Sequence, residues 1–267
     1  VTPATLGLPE NSANSTIAGT VSYSDPDSGQ SHTFAITAGN TGGAFAIDAN
    51  TGQITVANSA ALNYETNPTF SLTVEVTDNG SPNMSGSATI TINLSNVNDA
   101  PTVSPVTFAI DVNSANGTVV GTVSASDEDI PAQTLTYAIT AGNTGGAFAI
   151  NASSGQITVA NSAALDYETN PNFSLTVQVT DNGTPNLSAS ATITINLTNV
   201  NEAPSVTPAT FSLPENSANS TVVGTVSASD PDLPAQTLTY AITAGNTSGA
   251  FAINASTGQI TVANVAA

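Results

Sequence analysis

The chain contains no cysteine, no lysine, no arginine and no tryptophan, and only one histidine in 267 residues. Each absence closes a possibility. Without cysteine there are no disulfides. Without a basic side chain the protein has no electrostatic footing on nucleic acid or on an anionic membrane surface. Trypsin-like proteases find no basic residue to cut after, which is compatible with life outside the cell. No apolar run approaches the roughly 18–20 residues of a membrane-spanning helix. No leader pattern opens the chain, as expected of a mature product or an excised piece. Aromatics make up only 5% of residues, so no stacking platform for a glycan is evident.

What is present is acid and aliphatic side chains. Aspartate and glutamate total 19, the formal net charge is −19, and hydrophobic residues make up 39%. The apolar set is mostly Val, Ile, Leu and Ala among Thr, Ser and Asn, a mixture that suits pleated, half-buried strands. Ala88, Ile90, Ile92 and Leu94 alternate with Ser87, Thr89, Thr91 and Asn93, and Phe70, Leu72, Val74 and Val76 follow the same rhythm. Period-two alternation of this kind is a strand with one buried face. Turns such as Asn40-Thr41-Gly42-Gly43 punctuate the runs.

The pattern recurs. Ala38-Gly39-Asn40 returns as Ala141-Gly142-Asn143 and Ala244-Gly245-Asn246, and Val76-Thr77-Asp78-Asn79-Gly80 returns as Val179-Thr180-Asp181-Asn182-Gly183. An interval of about 100 residues is too long for a solenoid unit of roughly 20–50 and matches one sandwich domain. The chain therefore reads as all-β, with repeats at 1–102, 103–205 and 206–267, each complete one a sandwich of about seven short antiparallel strands. Repeat three stops before its copies of the Asn63-Tyr64-Glu65 and Thr77-Asp78-Asn79-Gly80 segments. Two expectations follow: a window on a longer array, or a filament subunit whose missing strands come from another chain by β-strand addition.

The acids keep to recurring slots: Asp48, Glu75, Asp111 and Glu128 alone stand outside them. Many cluster around Asn96-Val97-Asn98-Asp99-Ala100-Pro101, which joins repeats one and two and returns as Asn199-Val200-Asn201-Glu202-Ala203-Pro204. On these motifs the unit resembles a cadherin repeat, of the kind found in large bacterial surface proteins. The resemblance implies tandem Greek-key sandwiches with calcium between consecutive domains. Carried over by position, it implies ligands at the first junction from Glu10, Asn63, Glu65, Asn96, Asn98 and Asp99 upstream, and from Asp127, Asp129, Asp181 and the backbone of Asn143 downstream. The second junction would use Asp166, Glu168, Asn199, Asn201 and Glu202, with Asp230, Asp232 and Asn246. Asp25, Asp27, Asn40 and Asp78 would serve a repeat preceding Val1, and Glu215 one following repeat three.

Calcium takes six to eight oxygens from carboxylates, amides and carbonyls, and two to three ions per complete junction are expected. Bare carboxylates about 4 Å apart repel by roughly 4 kcal/mol at an effective dielectric near 20. The second junction departs from the pattern, because Val112 stands where Glu10 has its counterpart and Glu202 replaces Asp99. Fewer or weaker ions are expected there. Asp48-Ala49-Asn50-Thr51-Gly52 reads as a hairpin turn, and His32 as a lone residue in a polar turn. The expected function is a non-enzymatic, extracellular structural or adhesive rod at the cell surface, partnered by calcium and by other repeats or copies. A carboxylate glycosidase and a glycan- or partner-binding module are the competing classes.

Overall fold

The structure is a computed structural model, and residues 1–266 are described. Repeat one forms β1 (Ala4–Pro9), β2 (Ile17–Thr20), β3 (His32–Ala38), β4 (Phe45–Ile47), β5 (Gln53–Val56), β6 (Thr69–Asp78) and β7 (Ser85–Ser95). Their orders are β1-β7-β6-β3 in one sheet and β2-β5-β4 in the other. Repeat two adds a short ribbon of β8 (Thr102–Val103) with β11 (Ala125–Ser126) to the same plan. Its sheets are β9 (Val106–Asp111), β16 (Ser188–Thr198), β15 (Asn172–Thr180) and β12 (Thr136–Ala141), facing β10 (Val119–Thr122), β14 (Gln156–Val159) and β13 (Phe148–Ile150). Repeat three keeps β17 (Ser205–Val206), β18 (Val222–Thr225), β19 (Ala228–Ser229), β20 (Phe251–Ile253) and β21 (Gln259–Val262). The only helical segments among the described residues are 3-10 turns of three residues.

Alternation fixes which face is inside. Along β6, Phe70, Leu72, Val74 and Val76 are buried, and along β7 Ile90, Ile92 and Leu94 meet them. Phe173, Leu175, Val177, Ile193 and Ile195 do the same in repeat two. The two sheets are pinned by edge-on aromatic pairs, Phe45 on Phe70 at 5.1 Å and Phe148 on Phe173 at 5.0 Å. Such pairs favour tilted ring geometry because the positive ring edge meets the negative face.

One pairing departs from the all-antiparallel expectation. β1 runs parallel to β7, with Pro9 opposite Ser95, and β9 runs parallel to β16, with Asp111 opposite Thr198. A first strand parallel to the last makes the chain enter a repeat at one pole and leave at the other. It also brings the end of β1 to the start of the linker.

Repeat three contains a natural control. The hexapeptide Thr-Tyr-Ala-Ile-Thr-Ala is strand β12 in repeat two but takes no strand conformation at 239–244. The difference is the partner: β12 pairs with β15, and residues 206–267 stop short of the corresponding segment. Phe148 is 3% exposed against Phe173, whereas its equivalent Phe251 is 37% exposed. Strand propensity here follows from pairing and burial, not from the local sequence. In hydrogen exchange on this chain, the amides of Thr136–Ala141 are therefore expected to be protected and those of 239–244 to exchange at least tenfold faster, roughly the least that losing ladder bonds worth about 1.5 kcal/mol gives. Equal protection in the two copies would contradict the partner-dependence.

Candidate metal centre

The parallel edge pairing delivers Glu10 to the linker. Its N–H donates to the Ser95 carbonyl at 3.1 Å, so the chain stays against β7 to the end of the repeat. The side chain is 2% exposed, and its carboxylate accepts the backbone N–H groups of Tyr64 at 2.5 Å and Val97 at 2.8 Å. One carboxylate thus ties β1, the turn at Asn63–Glu65 and the linker together. Asn11 follows at φ 56, a left-handed conformation that asparagine tolerates, and its Nδ2 donates to Asp99 at 2.9 Å.

Repeat two closes on the same linker. The Asp99 N–H donates to Asp129 Oδ2 at 3.0 Å, and the Asp129 N–H to Asp127 Oδ1 at 3.0 Å. Asn98 Nδ2 donates to Asp181 and to the Pro185 carbonyl, both at 3.1 Å. Asn96 Nδ2 donates to the Ile130 carbonyl at 2.9 Å, and Asn63 Nδ2 to Glu128 at 3.1 Å. Gly183 lies so close that a Cβ there would overlap the Asn98 amide, a physical reason for the glycine in Thr-Asp-Asn-Gly. The site belongs to both repeats at once.

Its electrostatics are unbalanced. Glu10, Glu65 and Asp99 each offer an oxygen within 4.8 Å of the others. Both oxygens of Glu65, Oδ2 of Asp127 and Oδ1 of Asp129 are buried with no hydrogen-bond donor. Burial pushes the Glu65 carboxyl above its ordinary range, with Glu10 and Asp129 adding repulsion. Burial likewise raises Asp99, beside Glu10, and Asp127, beside Asp129. Buried anionic oxygens without donors are costly unless a cation meets them. An all-oxygen donor set of carboxylates, amides and carbonyls fits a hard divalent cation of calcium's type.

A sequence model of the Cadherin domain matches residues 5–95, 107–198 and 209–265. The chain belongs to the cadherin family. Protocadherin Fat 2 of Rattus norvegicus is 35% identical over 242 residues, 86% of this chain and 5% of that protein. Cadherin-23 of the same species is 34% identical over 257 residues, 91% of this chain and 8% of that protein. The chain thus spans a small part of the length of these curated relatives. Among solved structures, mouse Cadherin-23 EC22-24 aligns with a TM-score of 0.66 at 26% identity, covering 98% of this chain and 85% of that one. Human CDH23 EC21-23 aligns at 0.60 and 25% identity, covering 97% and 92%. These relatives are animal proteins, so the expectation of a bacterial surface protein is not supported. The segment is a run of extracellular cadherin repeats. No helix among the described residues is long and apolar enough to cross a membrane.

The second cadherin junction copies the first incompletely. The Glu202 N–H donates to Asp232 at 2.9 Å, the Asp232 N–H to Asp230 at 3.0 Å, and Asn113 Nδ2 to Glu202 at 2.7 Å. Asn199 Nδ2 reaches the Leu233 carbonyl at 3.2 Å, and Asn201 Nδ2 the Glu202 carbonyl at 3.2 Å. Glu168 Oε1 and Asn199 Oδ1 are buried without donors. Val112 makes the backbone bond to Thr198 that Glu10 makes to Ser95, but it is a buried methyl-bearing side chain, while Asp111 beside it is exposed. The threefold tie of Glu10 is missing. Asp166, like Asn63, caps its own turn, accepting the Thr169 N–H at 2.8 Å.

Three predicted carbonyl ligands are misplaced. Asn143 was expected at the first junction, yet β12 starts opposite Thr180 near that pole and runs away from it to Ala141, opposite Thr176. Gly142, at φ 79, then packs on the Ser174 backbone so closely that a Cβ would overlap it, on the order of 20 Å along the strand from Asp181 at about 3.3 Å per residue. The Asn143 carbonyl accepts Gly146 N–H, and its side chain brackets the Phe148 backbone. Asn40 and Asn246 bracket Phe45 and Phe251 in the same way. They are loop staples. Asp25, Asp27 and Asp78 share one open pocket at the far pole of repeat one, and Glu215 is exposed. Asp48 accepts the N–H groups of Asn50 and Thr51, as its hairpin reading implies. His32 is not in a turn: it opens β3, pairs with Asp25 at 2.7 Å and tilts against Tyr23.

The raised carboxyls set a sign for pH. Glu65, Asp99 and Asp127 hold a proton more tightly folded than unfolded. Without metal, their destabilising effect is full above the raised values and is relieved as pH falls toward the ordinary carboxylate values near 4. Asp25, lowered by His32, and Asp48, lowered by Thr51, act oppositely but only below that range. In chelator, the melting temperature of repeats one and two is expected to rise between pH 7 and about pH 5. A flat or falling melting temperature would contradict the repulsive junction.

Proposed function

We propose that calcium bridges successive repeats of this cadherin segment and stiffens them into an extracellular adhesive rod. One observation carries the reading: donor-free carboxylate oxygens of Glu65 from repeat one and of Asp127 and Asp129 from repeat two flank the linker, where the Asp99 N–H donates to Asp129. Glu65 and Asp99 on one side, with Asp127 and Asp129 on the other, are the proposed principal ligands of the first junction, and Glu10 anchors the upstream set. Asp166, Glu168, Asn199, Asn201, Glu202, Asp230 and Asp232 form the weaker second set. No catalytic role is assigned, because the paired acids are accounted for at the repeat ends. The partners are neighbouring repeats and other cadherin chains.

A ligand that binds only the folded state stabilises it by about 2.7 kcal/mol at a hundredfold excess over its Kd. Calcium is expected to raise the melting temperature by roughly 10 °C or more for repeats of this size. Asp129→Asn is expected to lower calcium affinity at the first junction at least about tenfold, by the scale of changes around metal ligands. A thermal scan by differential scanning calorimetry reads the first, and isothermal titration calorimetry the second. A melting temperature indifferent to calcium would sink the proposal.

A further inference from the structure

The polar groups of the first junction divide into two regions. On one side lie the donor-free oxygens of Glu65, Asp127 Oδ2 and Asp129 Oδ1, together with the donor-free Oε1 of Gln133. On the other, the oxygens are already met by protein donors. Asp181 accepts the N–H groups of Gly183 at 3.0 Å and Leu187 at 2.9 Å, together with Asn98 Nδ2. A carboxylate holding several such bonds has its acceptor oxygens met by the protein itself. Asn98 Oδ1 and Asp129 Oδ2, from opposite repeats, face one shared donor. That donor is Gln133 Nε2, at 2.5 Å from Asn98 and 2.8 Å from Asp129.

The arrangement recurs. Gln236 Nε2 lies 2.6 Å from Asn201 and 3.0 Å from Asp232 at the second junction. Calcium bonds to oxygen at about 2.3–2.6 Å, so a cation bridging the linker amide and the Asp-x-Asp carboxylate competes with this nitrogen for the same two oxygens. An N–H bonded to a carboxylate is a charge-assisted contact of about twice ordinary strength. Unlike an ion, it is tethered to the chain and present at any calcium concentration.

We propose that Gln133 fills one cation position of the first junction, and Gln236 the same position of the second, so that calcium serves only the donor-free side. The inference rests on the calcium reading above and deepens it. Gln133 is a positioning residue here, a built-in latch between repeats, and it holds the ion count of the complete junction below three.

Native mass spectrometry of the 267-residue chain in saturating calcium tests this. Gln133→Ala is expected to bind one more calcium ion than the unsubstituted chain, and the double variant with Gln236→Ala two more. Gln133→Glu keeps the side-chain length, removes the donor and supplies ligand oxygens, and it is expected to bind the additional ion even if the alanine variant folds poorly. Variants whose count stays at or below that of calcium-loaded unsubstituted chain overturn the role of Gln133 alone. An unsubstituted chain that takes no calcium overturns the calcium reading and this inference together.

Discussion

Carboxylates of two repeats are forced together at Asp99 in a chain with no lysine or arginine to answer them. Everything else at the junction follows from that convergence. In most proteins a buried acid finds a guanidinium or ammonium, or protonates. Here Glu65 and Asp129 keep buried oxygens with no donor, and burial together with like charge raises Glu65, Asp99 and Asp127. On the proposed reading, a counterion from solution answers these oxygens and adds to the hydrogen bonds that already cross the junction. The missing cations of the composition and the unsatisfied oxygens of the junction are one fact at two scales.

The fold supplies the geometry for this. Parallel pairing of β1 with β7 places entry and exit at opposite poles, so the acids of one repeat's exit meet those of the next repeat's entrance. The same pairing sets Glu10 beside the linker, where its two backbone contacts make repeat one's last turn and the linker a single unit. At the second junction the substitution of Val112 turns that tie into a core contact. Two linkers of nearly identical sequence therefore differ in how they are anchored, through a residue about 90 positions upstream of the second, brought alongside it by strand pairing.

The fold class, the repeats and most of the junction acids were legible in the sequence, because alternation and spacing are local and periodic. Glu10, Glu65, Asp99, Asp127, Asp129 and Asp181 all lie at the first junction. Asn143 was misread because its Gly-Asn pair matches a motif in letters, while strand direction carries it to the other end of β12. Glu128 stood outside the recurring slots, yet Asn63 reaches it across the junction. Gln133 was available as a signal, since Gln30, Gln133 and Gln236 recur at the repeat interval. Amides in an acid-rich junction attract less notice than the acids, and only the pairing across repeats shows what they hold. The pairing of His32 with Asp25 needed the path of the loop that leads into β3.

The most direct test of calcium as the element that stiffens the array is small-angle X-ray scattering of the chain with calcium and with chelator. Stiffening predicts a longer, narrower distribution of end-to-end distances in calcium, and a shorter mean with a broader spread once calcium is removed. Superimposable scattering in the two conditions, with calcium shown to be bound in the first, would contradict it.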